Sequence, residues 1–285
     1  MPGGTQSIPL VAEVSGRAPS VSPAAENVDR TGRSRLVSNV LVSWIGQMIY
    51  LATGFMMPRM IDLKLGQEVL GVWDFCWSLV AYSRFVDFGI TTSVNRYVGR
   101  LWAQKNIAGI NTVVSSATVA LLFTAALMML ATIVAVVTLP YWFADQLNGY
   151  VGVTQKSVFC LGLMLSVNSA VGAFNGVLTG CHRWELQTMR NVGWYVVSVV
   201  GMVVALWMGG GLLALAAITA FCTIMGHLTL VVLAFRVCPG LKLQRELVHW
   251  KTIKELYTYG GKALVPTFSD MLLNQTVSLL VIGCL

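Results

Sequence analysis

The run "TVALLFTAALMMLATIVAVV", Thr118–Val137, contains twenty residues and no charge. A helix needs roughly 20 apolar residues to cross the hydrocarbon of a bilayer. A membrane β-strand needs about 10, with apolar and polar residues in strict alternation. This run does not alternate. It therefore predicts a helix, because in lipid a backbone must satisfy its own N–H and C=O groups. The rest of the chain repeats the signal. Similar blocks lie near 38–58, 69–91, 112–139, 157–179, 192–208, 212–235 and 263–285. The expectation is an all-α, polytopic bundle of about seven transmembrane helices.

Composition agrees with that fold class. The chain has 285 residues, 56% hydrophobic and only 11% charged, with a mean hydropathy of +0.71. A soluble domain carries about 25% charged residues, so lipid is the solvent this surface suits. The charges that remain alternate between connections. Arg17, Arg30, Arg33 and Arg35 precede the first block, and Arg96, Arg100 and Lys105 follow the second. Arg183 and Arg190 follow the fourth, and Arg236, Lys242, Arg245, Lys251, Lys254 and Lys262 follow the sixth. The intervening connections hold only Arg59, Lys64 and Lys156. Lys and Arg concentrate on the cytoplasmic side, which predicts a multi-pass protein of the cytoplasmic membrane with a cytoplasmic N-terminus. The net charge of +7 then lies where anionic headgroups are, without nucleic acid as a partner.

This reading divides the chain into a tail, 1–35, rich in Gly, Pro, Ser and Ala and expected to be disordered. A six-helix lobe follows at 36–237, then an amphipathic linker at 238–262 with Leu243, Leu247 and Trp250 on its apolar side. The block at 263–285 would be the first helix of a second lobe, so the chain reads as the front part of a longer architecture. The six cysteines form no C-x-x-C pair and read as small packing residues.

Polar residues inside apolar spans are costly and face protein or water. Asn39, Ser43, Gln47, Tyr50 and Gly54 share one helical face, as do Asn168, Gly172, Asn175 and Thr179. Thr267, Asp270, Asn274 and Ser278 form a third stripe, and Thr219, Thr223 and His227 a fourth. Such stripes either line a common cavity or hydrogen-bond between packed helices. Gly172, Gly176 and Gly180, spaced by four, suit close helix–helix approach. Arg84 and Asp87 are helical neighbours, either an ion pair or a cation facing a cavity. Asp270 follows Pro266, where a helix can bend. The triplet Asp87-Phe88-Gly89 matches the magnesium-binding motif of protein kinases, but no Gly-rich loop, strand lysine or H-R-D loop accompanies it. G-x-S-x-G, H-E-x-x-H and a P-loop are also absent, so no enzyme is expected.

The order of these features resembles a known family. "GVWDFCWSLVAYSRFVDFGITTSVNRYVGRLWAQKNIAGINTVV" (71–114) looks like the second helix and following connection of oligosaccharide flippases. The matching positions are Asp87, Phe88, Gly89, Arg96 and Tyr97. "NGVLTGCHRWELQTMRNVGWYVVSVVGMVVAL" (175–206) resembles their fourth-to-fifth helix region, and "LYTYGGKALVPTFSDMLLNQTVSLLVIGCL" (256–285) the start of their seventh. These are the polysaccharide exporters of the multidrug/oligosaccharidyl-lipid/polysaccharide superfamily. The resemblance implies a two-lobed transporter that moves a lipid-linked oligosaccharide, carried on polyprenyl diphosphate, by alternating access. Its implied partners are that substrate, membrane lipids, and glycan polymerases or glycosyltransferases. No cofactor or metal is implied. The candidate cavity residues are Arg84, Asp87, Gln47, Asn168, Asn175 and Asn274, and the candidate ion-coupling residues are Asp270 and Asp87. Two alternatives stand beside it: a cation-coupled drug exporter of the same superfamily, and a membrane scaffold that transports nothing.

Overall fold

The structure is a computed structural model. It describes residues 23–82, 89–143, 147 and 149–262, with side chains from residue 40 onward except at 79–82. Arg84, Asp87, Asp270 and Asn274 lie outside the described residues, as does the block at 263–285.

The described residues are helical, with no strand among them. In chain order the helices are α1 (Pro23–Leu65), α2 (Gln67–Tyr82), α3 (Ile90–Ala103), α4 (Ile107–Phe143), α5 (Val151–Ala170), α6 (Gly172–Gly180), α7 (Trp184–Trp207) and α8 (Leu212–Val237). A 3₁₀ turn, Arg245–Leu247, and a further helix, α9 (250–262), complete them. The chain divides into two compact units, Met1–Val40 and Leu41–Leu285. In the first unit, residues 23–40 are helical, so helix begins inside the segment that composition assigned to a disordered tail. The bundle belongs to the second unit.

Four helical stretches are long and apolar enough to cross a membrane: Val40–Leu65, Ile107–Phe143, Trp184–Trp207 and Leu212–Val237. A fifth arises if α5 and α6, bent by 46° at Val171, count as one broken span. The described part of α2 is 16 residues. The outer surface of these helices is apolar as well as the interior. Only 17% to 39% of the most apolar window of each of the four stretches is buried, and Phe55, Phe123, Phe221 and Trp207 face outward. Such a surface suits hydrocarbon.

Two apolar cores lie at opposite ends of the long helices. One joins α3, the start of α4, α6, the end of α8 and α9 around Ile90, Val94, Leu121 and Leu178. The other joins α2, the end of α4, the first part of α5 and the start of α8 around Trp73, Leu139, Leu161 and Leu215. Glycines set the first core. A Cβ on Gly176 would lie 2.6 Å from Val94 Cγ1, and one on Gly180 would lie 2.9 Å from the Gly99 nitrogen. The Gly172–Gly180 stripe therefore lets α3 and α6 meet backbone to backbone.

Gly89 turns the chain into α3 in the left-handed region, φ 66°. A Cβ there would lie 2.5 Å from the Gly260 oxygen, on α9, so glycine is required twice over.

The connection after α8 is held by α4 side chains in place of regular structure. Asn111 donates to the Gly240 oxygen at 3.1 Å and accepts from the Lys242 nitrogen at 3.0 Å. Ser115 and Ser116 accept from the Gln244 and His249 nitrogens. Ser93 on α3 donates to the Leu256 oxygen at 2.8 Å, and Arg96 lies 4.4 Å over the Tyr259 ring. The amphipathic linker is a strap docked across one end of the bundle. Here Cys181 and Cys238 also meet, both free and buried. Burial, with Cys238 beside it, pushes the Cys181 thiol up to about 12. That fits a packing role.

Candidate functional site

The site is built chiefly on one face of α7. Arg190, Trp194, Ser198 and Met202 follow at intervals of four and Asn191 and Tyr195 lie beside them, so all six share one side of the helix. That side faces two chambers.

The first, about 380 Å³, is apolar and aromatic. Tyr50, Met57 and Pro58 of α1, Trp73 and Trp77 of α2, and Trp194, Tyr195 and Met202 of α7 form half of its wall. The Tyr50 and Tyr195 rings stack at 4.2 Å, and Trp73 and Trp77 meet edge-on at 5.9 Å. The Trp194 indole N–H is satisfied by Thr229 Oγ1 at 3.2 Å, which leaves its ring faces for apolar contact.

The second, about 470 Å³, is polar. Asn168 and Ser169 of α5, Asn175 of α6, His227 of α8 and Thr91 of α3 line it. Arg190, Asn191 and Trp77 border both chambers. The volumes lie within the range of small-molecule sites, about 300–1,000 Å³.

Arg190 is the joint between the chambers. It sits six residues inside α7, roughly 9 Å along the axis from Trp184. Its Nη1 donates to the Gly226 oxygen at 2.9 Å and its Nη2 to Asn191 Oδ1. Its Nε is buried with no partner. Gly226 also packs closely on α7, where a Cβ would lie 3.3 Å from the Trp194 ring. Among the described residues, the one ion pair is Arg183–Glu185, at the start of α7. No described carboxylate pairs with Arg190. A half-buried guanidinium without a counter-charge is prepared for an anion.

No family model, curated protein or solved structure matches this chain.

Asn168 and Asn175, expected to line a cavity, both line the polar chamber. Gln47 does not line either chamber and is exposed. At its level Gly46 faces α7, with Val192 so close that a Cβ would meet it at 2.7 Å. Gln47 lies about 100° further round the helix. Arg190 was assigned to a cytoplasmic connection with Arg183. The structure places Arg183 in the turn before α7 and Arg190 inside the helix. The four-residue spacing of Arg190, Trp194 and Ser198 is the signal that marks it in the sequence. His227, for which packing is the more heavily favoured reading, lines the polar chamber, and both of its ring nitrogens are buried with no partner among the described residues.

Proposed function

We propose that the protein is a membrane transporter that moves a lipid-linked oligosaccharide across the cytoplasmic membrane by alternating access. One observation carries the reading: a polar chamber and an aromatic chamber meet at an arginine that no described carboxylate pairs with. A lipid-linked glycan has the same three parts in the same order. Its glycan needs hydrogen-bonding walls, its diphosphate needs a cation, and its isoprenoid needs apolar contact. In this reading Arg190 is the described cation that would meet the diphosphate. The resemblance in helix order supports the same reading.

The test uses proteoliposomes containing the chain and a fluorescent polyprenyl-diphosphate saccharide, with outer-leaflet label quenched. Flipping should fall by at least about tenfold in Arg190→Ala. Equal flipping by the wild type and by empty vesicles, or by the wild type and Arg190→Ala, overturns the proposal.

The aromatic lining of the first chamber favours a second reading, export of an aromatic drug. The positive charge of Arg190 opposes a cationic one. Export of a neutral aromatic dye by the same vesicles, with no flipping of the lipid-linked saccharide, would select it.

A further inference from the structure

The outward side of the α7–α8 pair is not smooth. An open groove of about 460 Å³ runs along it, lined by Leu186, Met189, Gly193 and Val197 of α7 and by Thr229 and Leu233 of α8. Arg190 and Trp194 also line it, and both border the aromatic chamber. Gly193 leaves the hollow open: a Cβ there would meet nothing within 4 Å, and Met189 and Val197 beside it are exposed. The Thr229 hydroxyl is already engaged, donating to the Met225 oxygen at 2.9 Å and accepting from the Trp194 indole at 3.2 Å. The groove therefore suits an apolar occupant.

Its position in the span says which one. Trp184 and Trp207, both exposed, stand at the two ends of α7, as aromatic residues do at the two headgroup levels of a bilayer. The groove begins at Leu186, two residues from Trp184, and reaches Val197. Those eleven steps cover roughly 16 Å, about half of a ~30 Å hydrocarbon core, which is one leaflet. An empty hollow in hydrocarbon forfeits dispersion contacts, and the molecule of that length on this surface is a lipid acyl chain.

Charge selects the headgroup. Thr229, Leu233 and Arg236 follow at helical steps of four and three, so the exposed Arg236 continues the α8 wall to the groove mouth. α7 and α8 run antiparallel, with Thr219 against Met202 and Gly226 against Trp194, so Arg183 lies at the same end. Glu185 pairs with Arg183 at 3.4 Å, and no described carboxylate pairs with Arg236.

We propose that this groove seats one acyl chain of an anionic bilayer phospholipid, with the chain against Gly193 and the phosphate at Arg236. The proposal rests on these helices crossing a membrane and is independent of what the chambers carry.

The experiment is native mass spectrometry of the purified full chain in detergent. The probes are dioleoyl phosphatidylglycerol, dioleoyl phosphatidylcholine and dihexanoyl phosphatidylglycerol. The wild type should retain dioleoyl phosphatidylglycerol about fivefold more than the choline lipid, and severalfold more than the short-chain lipid with the same headgroup. Gly193→Phe fills the groove and should cut retention of both long-chain lipids severalfold, with the melting temperature in detergent unchanged. Val119→Phe, which adds the same ring at an exposed position on α4, should leave retention unchanged. Arg236→Gln should bring the glycerol lipid down to the level of the choline lipid. Equal retention by the wild type and Gly193→Phe, or of long and short chains by the wild type, overturns the acyl-chain seat. Equal retention of the two long-chain lipids by the wild type overturns the contact at Arg236. A lower melting temperature for Gly193→Phe with wild-type retention places protein in the groove and also overturns the proposal. The wild-type comparisons need no variant to fold.

Discussion

The Arg190 guanidinium donates to the main-chain oxygen of Gly226 at 2.9 Å, tying α7 to α8 where the two chambers meet. A charged side chain held by a carbonyl and an amide, with no described carboxylate opposite, is stabilised less than a paired one.

That imbalance predicts a separation of stability from function. Replacing an unpaired interior charge with an apolar side chain of similar volume should leave stability unchanged or raise it, by up to about 1–3 kcal/mol. Arg190→Met should therefore raise or preserve the melting temperature in detergent while flipping falls at least about tenfold. A matched loss of both would make Arg190 a structural residue.

The α3–α6 contact makes the opposite prediction. Gly180→Val inserts a side chain where even a Cβ lies 2.9 Å from a backbone nitrogen, and overpacking of this kind costs typically 1–3 kcal/mol. Gly193→Ala on α7 meets nothing within 4 Å and should be neutral or stabilising by up to about 1 kcal/mol through helix propensity. Thermal unfolding of the two variants side by side checks the contrast.

The strap after α8 depends on Asn111. Its amide makes two hydrogen bonds to the strap backbone, each worth about 1 kcal/mol net. Asn111→Ala should loosen the strap locally and speed tryptic cleavage at Lys242 and Arg245 severalfold. The melting temperature of the bundle should change less than the cleavage rate. Unchanged proteolysis would mean that the α9 contacts alone hold the strap.

Cys181 provides a pH prediction. Its thiol is pushed from an ordinary value of 9.0 up to about 12 in the folded protein. Between those values the unfolded chain has lost this proton and the folded chain keeps it, so the unfolded state binds fewer protons. Stability should fall as pH rises from about 9 towards 12, with no contribution from this group below that window. Cys181→Ala should flatten the alkaline limb. Maleimide at neutral pH should leave Cys181 unlabelled until the protein is unfolded.

Some of the site is legible in the sequence. Asn168 and Asn175 lie on one stripe of a single apolar block, and both line the polar chamber. Thr219 and Thr223 were placed on the α8 stripe with His227; the threonines line the aromatic chamber and His227 the polar one. Local spacing fixes which residues share a face, and these faces turned inward. Arg190 was misplaced for an equally physical reason. A cation near the end of an apolar run has the same sequence signature whether it flanks a membrane or enters it. The break at Val171 was also missed, because apolar residues continue across it and no proline marks it.

The sequence by itself determined that this chain is helical and suited to lipid. Long uncharged runs cannot leave backbone groups unpaired in hydrocarbon, and a helix pairs them locally. It also determined that α3 and α6 could approach, since glycine every four residues is a local pattern. Only the tertiary structure decided which polar groups find partners. A hydrogen bond such as Arg190 to Gly226 joins residues 36 apart, and an unpaired atom such as Asn175 Oδ1 is defined by what three or four other helices fail to bring near it. Those are sums over neighbours in space, and no window along the chain contains them.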